Sequence, residues 1–236
     1  MTHPDGQRFR DWLDRWYVGL VSMSMSDLAR EAGGPENVAV VCADLSICFA
    51  KVGPLASERV GSIVEPVVRL FRLAHSHGVR LFVLPQDAHP ADSPQFQAWG
   101  EHCEEGSEGA RTVPELRELP FADLFRVIPK RNLNPGLVPA FVEWLDEHSK
   151  VKRFVVVGDC TDLCIYQLAT YLRLRANQFG LDYEVLVPED CVDTFDLSEK
   201  KAEEIGTLPH DGELMHRLFL YHMAINDIRI VSRLTG

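Results

Sequence analysis

The sequence predicts an α/β fold, a doubly wound and mainly parallel sheet of about six strands with helices on both faces. Three observations carry this expectation. Short apolar, β-branched runs recur along the chain and end at Gly, Pro or Asp, as strands buried on both faces do. Between them lie stretches with apolar residues at helical spacing, the alternation of a βαβ chain. The 236 residues, 46% of them hydrophobic, can build one sizeable core, and no repeat, low-complexity tract or linker divides them. A single domain over residues 1–236 is expected, with a helical N-terminal extension over 1–36 and the core over 38–234.

Residues 9–32 place Phe9, Trp12, Leu13, Trp16 and Leu20 at helical spacing and stop at Gly33-Gly34-Pro35. This predicts one or two helices packed on the body or on a neighbouring subunit, with Trp12 and Trp16 as packing residues. Residues 38–44 are the first strong strand signal and deliver Asp44 at its end. After a break at Gly53-Pro54, an amphipathic helix is expected over 57–77, closed by Gly78. Strands over 79–84 and 125–128 follow. The first leads into Gln86, Asp87 and His89, and the second ends at Pro129-Lys130. A helix over 137–148, a strand over 155–157, a helix over 165–179, a strand over 183–187, a helix over 212–226 and a last strand over 228–232 complete the alternation.

The net charge of −11, without a Lys/Arg cluster, argues against nucleic acid and anionic membrane as partners. Residues 1–15 carry charges throughout, and no apolar run reaches bilayer length, so neither a secretory leader nor a membrane span is expected. Six cysteines stand at 42, 48, 103, 160, 164 and 191 without a disulfide framework. That usage suits a reducing cytoplasm, in which thiols are catalytic or merely buried. Cys42, Cys48, Cys103 and Cys191 read as space-filling residues. The spacing of Cys160 and Cys164 is not a CxxC, which argues against a structural zinc knuckle.

The chemistry centres on Gly158-Asp159-Cys160-Thr161-Asp162-Leu163-Cys164. A strand stopping at Gly158 and a helix starting with Thr161 or Asp162 as N-cap put Cys164 in the first helical turn, beyond the carboxyl end of a central strand. Positive partial charge there favours thiolate, and free N–H groups can hold an oxyanion. Most free cysteines are simply buried apolar residues, so this placement alone leaves nucleophile and filler both open. The other strand ends bear on the choice, because Asp44, Asp87 with His89, and Lys130 converge on the same edge of the sheet. Singly they read as a loop cap, turn residues and a solvated charge. Together they supply the base and the positive neighbour that a reactive thiol needs.

Asp44, Lys130 and Cys164 resemble the Asp-Lys-Cys triad of the isochorismatase-like cysteine hydrolases. Asp44-Leu-Ser-Ile-Cys-Phe49, followed by Gly53-Pro54-Leu55, is similar to the family motif D-x-Q-x-D-F…G-x-L. The run from Gly158 to Cys164 is similar to G-x-x-T-[DE]-x-C. Gln86-Asp87-Ala88-His89-Pro90, with Trp99-Gly100-Glu101-His102-Cys103 after it, resembles the nicotinamidase signature Q-D-W-H-P…W-P-x-H-C. The resemblance implies an isochorismatase-like fold and catalytic roles for Asp44, Lys130 and Cys164, with an oxyanion hole from the N–H groups of Cys160 and Cys164. It implies a divalent metal on Asp87, His89 and His102, with zinc first and iron or manganese as alternatives. Ser93 or Gln95 stands where many members place a further ligand. Phe49 and Trp99 match the residues that hold a pyridine ring, and the Asp159–Cys160 peptide matches one that is often cis.

Departures from the pattern are Ser46 and Cys48 in the first motif and Asp159 and Cys160 in the second. The implied activity is hydrolysis of nicotinamide through a thioester on Cys164, with a small-molecule amide as the partner. Another small carboxamide or carbamoyl compound, an isochorismatase-type ether, or a catalytically silent binding subunit are the alternatives. Apolar residues on the N-terminal helix point to a homo-oligomer.

Overall fold

A computed structural model describes residues 4–236, so the first three residues of the predicted extension lie outside the described residues. The strands are β1 (Met23–Ser24), β2 (Val38–Ala43), β3 (Leu81–Asp87), β4 (Phe125–Lys130), β5 (Arg153–Asp159), β6 (Glu184–Pro188), β7 (Val192–Asp193), β8 (Arg229–Val231) and β9 (Leu234–Thr235). Seven of them form one parallel sheet in the order β4-β3-β2-β5-β6-β8, with β7 pairing the end of β5. From β2 the chain winds outward to β3 and β4, then returns to the other side of β2 with β5. That reversal creates a crevice at the carboxyl ends of β2 and β5, the usual ligand position in an open α/β sheet.

Both faces of the sheet are covered. Val38, Val40 and Cys42 of β2 face the helices Met25–Ala32 and Val64–Ser76, in a core with Phe71 and Phe82. Ala39, Val41 and Ala43 face the other way, into a core with Phe141, Leu168 and Leu220 from the helices Pro139–Glu147, Tyr166–Phe179 and Gly212–Ile225. Two-sided burial explains why β2 and β5 read as unbroken apolar runs rather than alternating ones.

Several boundaries differ from the sequence expectation. The helix predicted over 57–77 is two helices, Glu58–Ser62 and Val64–Ser76, interrupted at Ile63. Pro66 lacks the N–H that would bond the Ser62 carbonyl, and its ring crowds that carbonyl, so an unbroken helix is excluded there. Strand β3 begins at Leu81 and runs on to Asp87, so the strand itself carries Asp87. Strand β7, the β1–β9 pair and the helix Glu199–Ile205 are additions. The extension holds two helices, Pro4–Val18 and Met25–Ala32. Phe9, Trp12 and Trp16 of the first meet the Tyr221 ring edge-on, on helix Gly212–Ile225.

Gly158 sits at the crossover of β2 and β5, opposite Ala43, with φ 109°. A Cβ there would lie 2.0 Å from the Ala43 carbonyl oxygen, in a backbone region that side chains avoid. Gly158→Ala is therefore expected to destabilise the fold by at least about 3 kcal/mol, from strain and overpacking together. Urea denaturation checks this, and an unchanged midpoint would contradict the close approach.

Candidate active site

Four strand ends supply the site. Asp44 follows β2 in a left-handed conformation, φ 56°, uncommon for a residue with a side chain. Its N–H donates to the Pro85 carbonyl at 3.1 Å, which turns the carboxylate toward β3. Oδ1 accepts the Asp87 N–H at 2.8 Å, and Oδ2 lies 2.7 Å from Lys130 Nζ. Lys130 ends β4 directly beside Asp87, and its Nζ is 2.5 Å from Asp87 Oδ1 and 3.6 Å from Cys164 Sγ. Lys130 Nζ thus meets both the Asp44 carboxylate and the Cys164 sulfur. Asp44 and Lys130 are each 1% exposed and Cys164 6%.

Burial sets the protonation states. Desolvation, with the Asp87 charge beside it, raises the Asp44 carboxyl to about 6, against the pull of Lys130. For Lys130, burial works to remove the proton, but Asp44, Cys164 and Asp87 outweigh it and hold the ammonium charged. Burial also pushes the Cys164 thiol well above its ordinary value, with Asp44 adding to this and Lys130 opposing it. Cys164 at rest is thus a thiol, not the thiolate that a helix N-terminus alone would favour. Asp159, 1% exposed, is likewise raised well above the carboxylate range by burial and by Asp44.

Beside the triad, Asp87, His89 and His102 bring one ligand atom each within 4.8 Å of one another, all buried. His89 Nε2 lies 3.3 Å and His102 Nε2 3.9 Å from Asp87 Oδ2. His102 Nδ1 meets the Gly100 carbonyl at 2.8 Å and so donates there, which leaves Nε2 as a lone pair aimed at the cluster. His89 Nε2 is a buried polar atom without a hydrogen-bond partner. Two imidazoles and a carboxylate with such an orphaned nitrogen fit a divalent cation. Ser93 Oγ lies 3.5 Å from His89 Nδ1, the ring nitrogen opposite the one facing Asp87. The Gln95 amide donates to the Arg131 carbonyl at 2.9 Å. Of the two residues predicted as further ligands, Ser93 thus meets the cluster through the far nitrogen of His89, and the Gln95 amide is engaged with Arg131.

The turn that carries Cys164 differs from a simple helix start. Thr161–Ile165 is a π-turn before the helix Tyr166–Phe179, and the Cys160 carbonyl accepts from the Leu163 and Ile165 N–H groups. Neither Thr161 nor Asp162 acts as the predicted N-cap; Cys160 occupies that place without a side-chain bond. Thr161 Oγ1 instead meets His216 Nδ1 at 2.9 Å, and Asp162 Oδ2 meets His210 Nε2 at 2.9 Å. The Asp159–Cys160 peptide is cis, as the resemblance implies.

His210 directs its other nitrogen to the Phe195 carbonyl, so both nitrogens face acceptors. Burial lowers its pKa, and the hydrogen bond and charge of Asp162 more than reverse that. A raised folded-state value gives stability that is full below the unfolded value of about 6.5 and lost as pH climbs through the folded one. The stability gap between wild type and His210→Gln should therefore narrow from pH 6 to pH 9, by chemical denaturation; a constant gap would rule out the charged pair.

Of the predicted ring-holding residues, Phe49 is half-buried with its ring 5.8 Å from that of His102, whereas Trp99 is 37% exposed. Phe96, which sequence reading passed over, packs edge-on against both His89 and His102, at 5.8 and 5.6 Å. Its place one helical turn before Trp99 was the available signal. Cys48 and Cys103 are not separate space-filling residues, because they form a disulfide. It ties the segment bearing Phe49 to the loop bearing His102. Cys42 and Cys191 are buried and free, as expected.

Comparison with known proteins agrees with this geometry. Residues 38–210 match the isochorismatase domain family model. Nicotinamidase 1 of Arabidopsis thaliana is 32% identical over 193 residues, spanning 76% of this chain and 76% of the relative. A nicotinamidase of Escherichia coli is 26% identical over 181 residues, covering 63% of this chain and 80% of that protein. Among solved structures, the pyrazinamidase of Pyrococcus horikoshii in complex with zinc superposes with a TM-score of 0.64 at 22% identity, over 83% of this chain and 98% of the other. The chain belongs to the isochorismatase domain family.

Proposed function

We propose that this protein is a nicotinamidase-like amidohydrolase that cleaves the amide C–N bond of nicotinamide through a thioester on Cys164. The observation that carries the reading is one buried ammonium, Lys130, 2.7 Å from the Asp44 carboxylate and 3.6 Å from the Cys164 sulfur, beside a metal-ready Asp87, His89 and His102. The likeness to nicotinamidase 1 of Arabidopsis thaliana supports the substrate class.

Asp44 takes the Cys164 proton as the sulfur attacks the carboxamide carbon, a transfer between two groups that flank the same Lys130 ammonium. Lys130 keeps Asp44 in place and, 3.6 Å from the sulfur, faces the negative charge that develops there as the proton leaves. The N–H groups of Cys160 and Cys164 receive the oxyanion of the tetrahedral intermediate. The C–N bond then breaks, Asp44 returns the proton to the departing ammonia, and a water activated by Asp44 cleaves the thioester to give the acid and free thiol. A carboxyl held near 6 is suited to gain and lose that proton near neutral pH. Asp87, His89 and His102 would hold a divalent cation, zinc on the chemistry of two imidazoles and one carboxylate. When bound, the cation supplies a Lewis-acidic position for a ring nitrogen of the substrate. Phe49 lies beside His102, where it can bound one side of a planar ring.

The extension and the core act as one unit over residues 1–236 in this reading. Phe9 and Trp12, each 42% exposed on the N-terminal helix, support a homo-oligomer. Four free thiols are in keeping with a cytoplasmic setting, against which the Cys48–Cys103 bridge stands as the single opposing feature. Among the described residues no helix is long and apolar enough to cross a membrane.

Ammonia release from nicotinamide by the purified protein tests the proposal. Release is expected; none, from protein whose Cys164 still reacts with iodoacetamide, would keep a cysteine hydrolase and discard this substrate. Metal content gives a second reading. His102→Ala removes one of three ligands and should lower bound metal at least about tenfold by elemental analysis. Undiminished metal would place it elsewhere.

A further inference from the structure

Four side chains outside the triad connect the N-terminal helix with the nucleophile turn. Tyr17, in the last turn of helix Pro4–Val18, donates its hydroxyl proton to Glu189 Oε1. Glu189 Oε1 lies 3.6 Å from His216 Nε2, and His216 Nδ1 lies 2.9 Å from Thr161 Oγ1. Thr161 is fully buried and opens the turn that carries Cys164, and His216 is only 3% exposed. With Nε2–H directed at the carboxylate, Nδ1 is left to meet the threonine hydroxyl, so the carboxylate orients the ring as it does in many His-based sites. The other acid near Nδ1, Asp193 at 3.7 Å, is already paired with Arg59 at 2.7 Å. Burial works to raise the Glu189 carboxyl, and the bonds from His216 and Tyr17 more than reverse this, in keeping with a charged centre in the chain of contacts. The Tyr17 ring also stacks edge-on against His216, with the Arg217 guanidinium over it at 4.8 Å.

We propose that Tyr17, Glu189 and His216 are positioning residues that hold the Thr161 end of the nucleophile turn, so that the N-terminal helix sets the reactivity of Cys164. Tyr17 and His216 both lie outside residues 38–210 of the family match, so the extension takes part in a site that the matched segment does not complete. Asp162 is held from another direction by His210, which leaves the Thr161 contact as the restraint that reaches the extension. A turn freed at that point shifts Sγ against Asp44 and Lys130, and small misplacement of a reacting atom is costly. The proposal rests on Cys164 being the nucleophile, and not on which amide it attacks.

The test is a mutant cycle read by two rates, amide turnover and alkylation of Cys164 by iodoacetamide followed by intact mass, both well below the unfolding temperature. Tyr17→Phe removes only the hydroxyl and should lower kcat and the alkylation rate together, by about fivefold to tenfold, with KM unchanged. His216→Asn retains a polar atom near Thr161 but cannot reach Glu189; it should give a similar loss, and adding Tyr17→Phe to it should cost nothing further. Trp12→Phe is the control. Trp12 meets the Tyr221 ring edge-on and so docks the same helix away from Tyr17, Glu189 and His216, and the variant should leave both rates as in wild type. Wild-type rates in Tyr17→Phe, equal losses in Trp12→Phe, or additive losses in the double variant would each overturn the proposal. If the wild type releases no ammonia from nicotinamide, the alkylation rates still decide it, so failure of the substrate reading is separable.

Discussion

Cys164→Ala should lower turnover on the order of 10⁶-fold, the loss seen when a covalent nucleophile is removed from a unit whose members act together. The geometry explains why nothing replaces it. Asp44 is held by the Lys130 ammonium, and Lys130 is committed to Asp44 and Asp87, so neither can attack a carboxamide carbon itself. Structural damage should be small, because the side chain is buried among apolar residues and only the sulfur is lost, about 1 kcal/mol. Ammonia release and urea denaturation on the same preparation measure both. Residual activity within tenfold of wild type would remove Cys164 from the mechanism. The buried thiol also predicts that alkylation rises with pH beyond neutrality, since burial and Asp44 hold the proton on at rest.

Lys130→Ala should be the most damaging of the triad substitutions to the fold, by about 3–5 kcal/mol, because it leaves buried carboxylates without their shared counter-charge. Asp44 Oδ2 and Asp87 Oδ1 both lean on this one ammonium, at 2.7 and 2.5 Å. The deficit should depend on pH in a set direction. Asp44 is already raised to about 6, and loss of the ammonium raises it further. The folded variant then keeps a proton that the unfolded chain has released. Its stability relative to wild type falls as pH rises through that window and recovers toward pH 4, where the unfolded carboxyl is also protonated. Denaturation of wild type and variant at pH 4, 6 and 8 checks the trend. A stable variant with wild-type turnover would mean that Lys130 is only a solvated charge, contrary to its burial.

A fuller contrast lies between residues whose positions follow from local pattern and those set by distant neighbours. Asp44, Asp87, Lys130 and Cys164 were legible because β-branched runs mark the strands, and a parallel sheet brings their carboxyl ends to one edge whatever the loops do. His89 and His102 were legible through resemblance to a motif, and the structure brings both to Asp87. Lone Pro and Gly effects were only partly read: Gly78 marks the end of a helix, but the interruption that Pro66 imposes was passed over.

Tertiary structure decided the rest. Thr161 and Asp162 look like helix caps, yet their side chains bond His216 and His210, about 50 residues away in the chain, because the last helix and the loop before it close over the turn. Phe96 packs on both histidines because a short helix aims it inward, whereas Trp99, one turn on, is left exposed. Cys48 and Cys103 meet across 55 residues, a pairing that spacing does not specify. The protonation of Cys164 was likewise out of reach, since a helix start argues for thiolate and only the depth of burial beside Asp44 shows the thiol. By itself, then, the sequence determined the strand order's chemistry-bearing ends and the family, through short-range periodicity and motif. Only the folded chain decided which partners each side chain finds and which protons it keeps, because both depend on burial and on contacts between segments far apart in sequence.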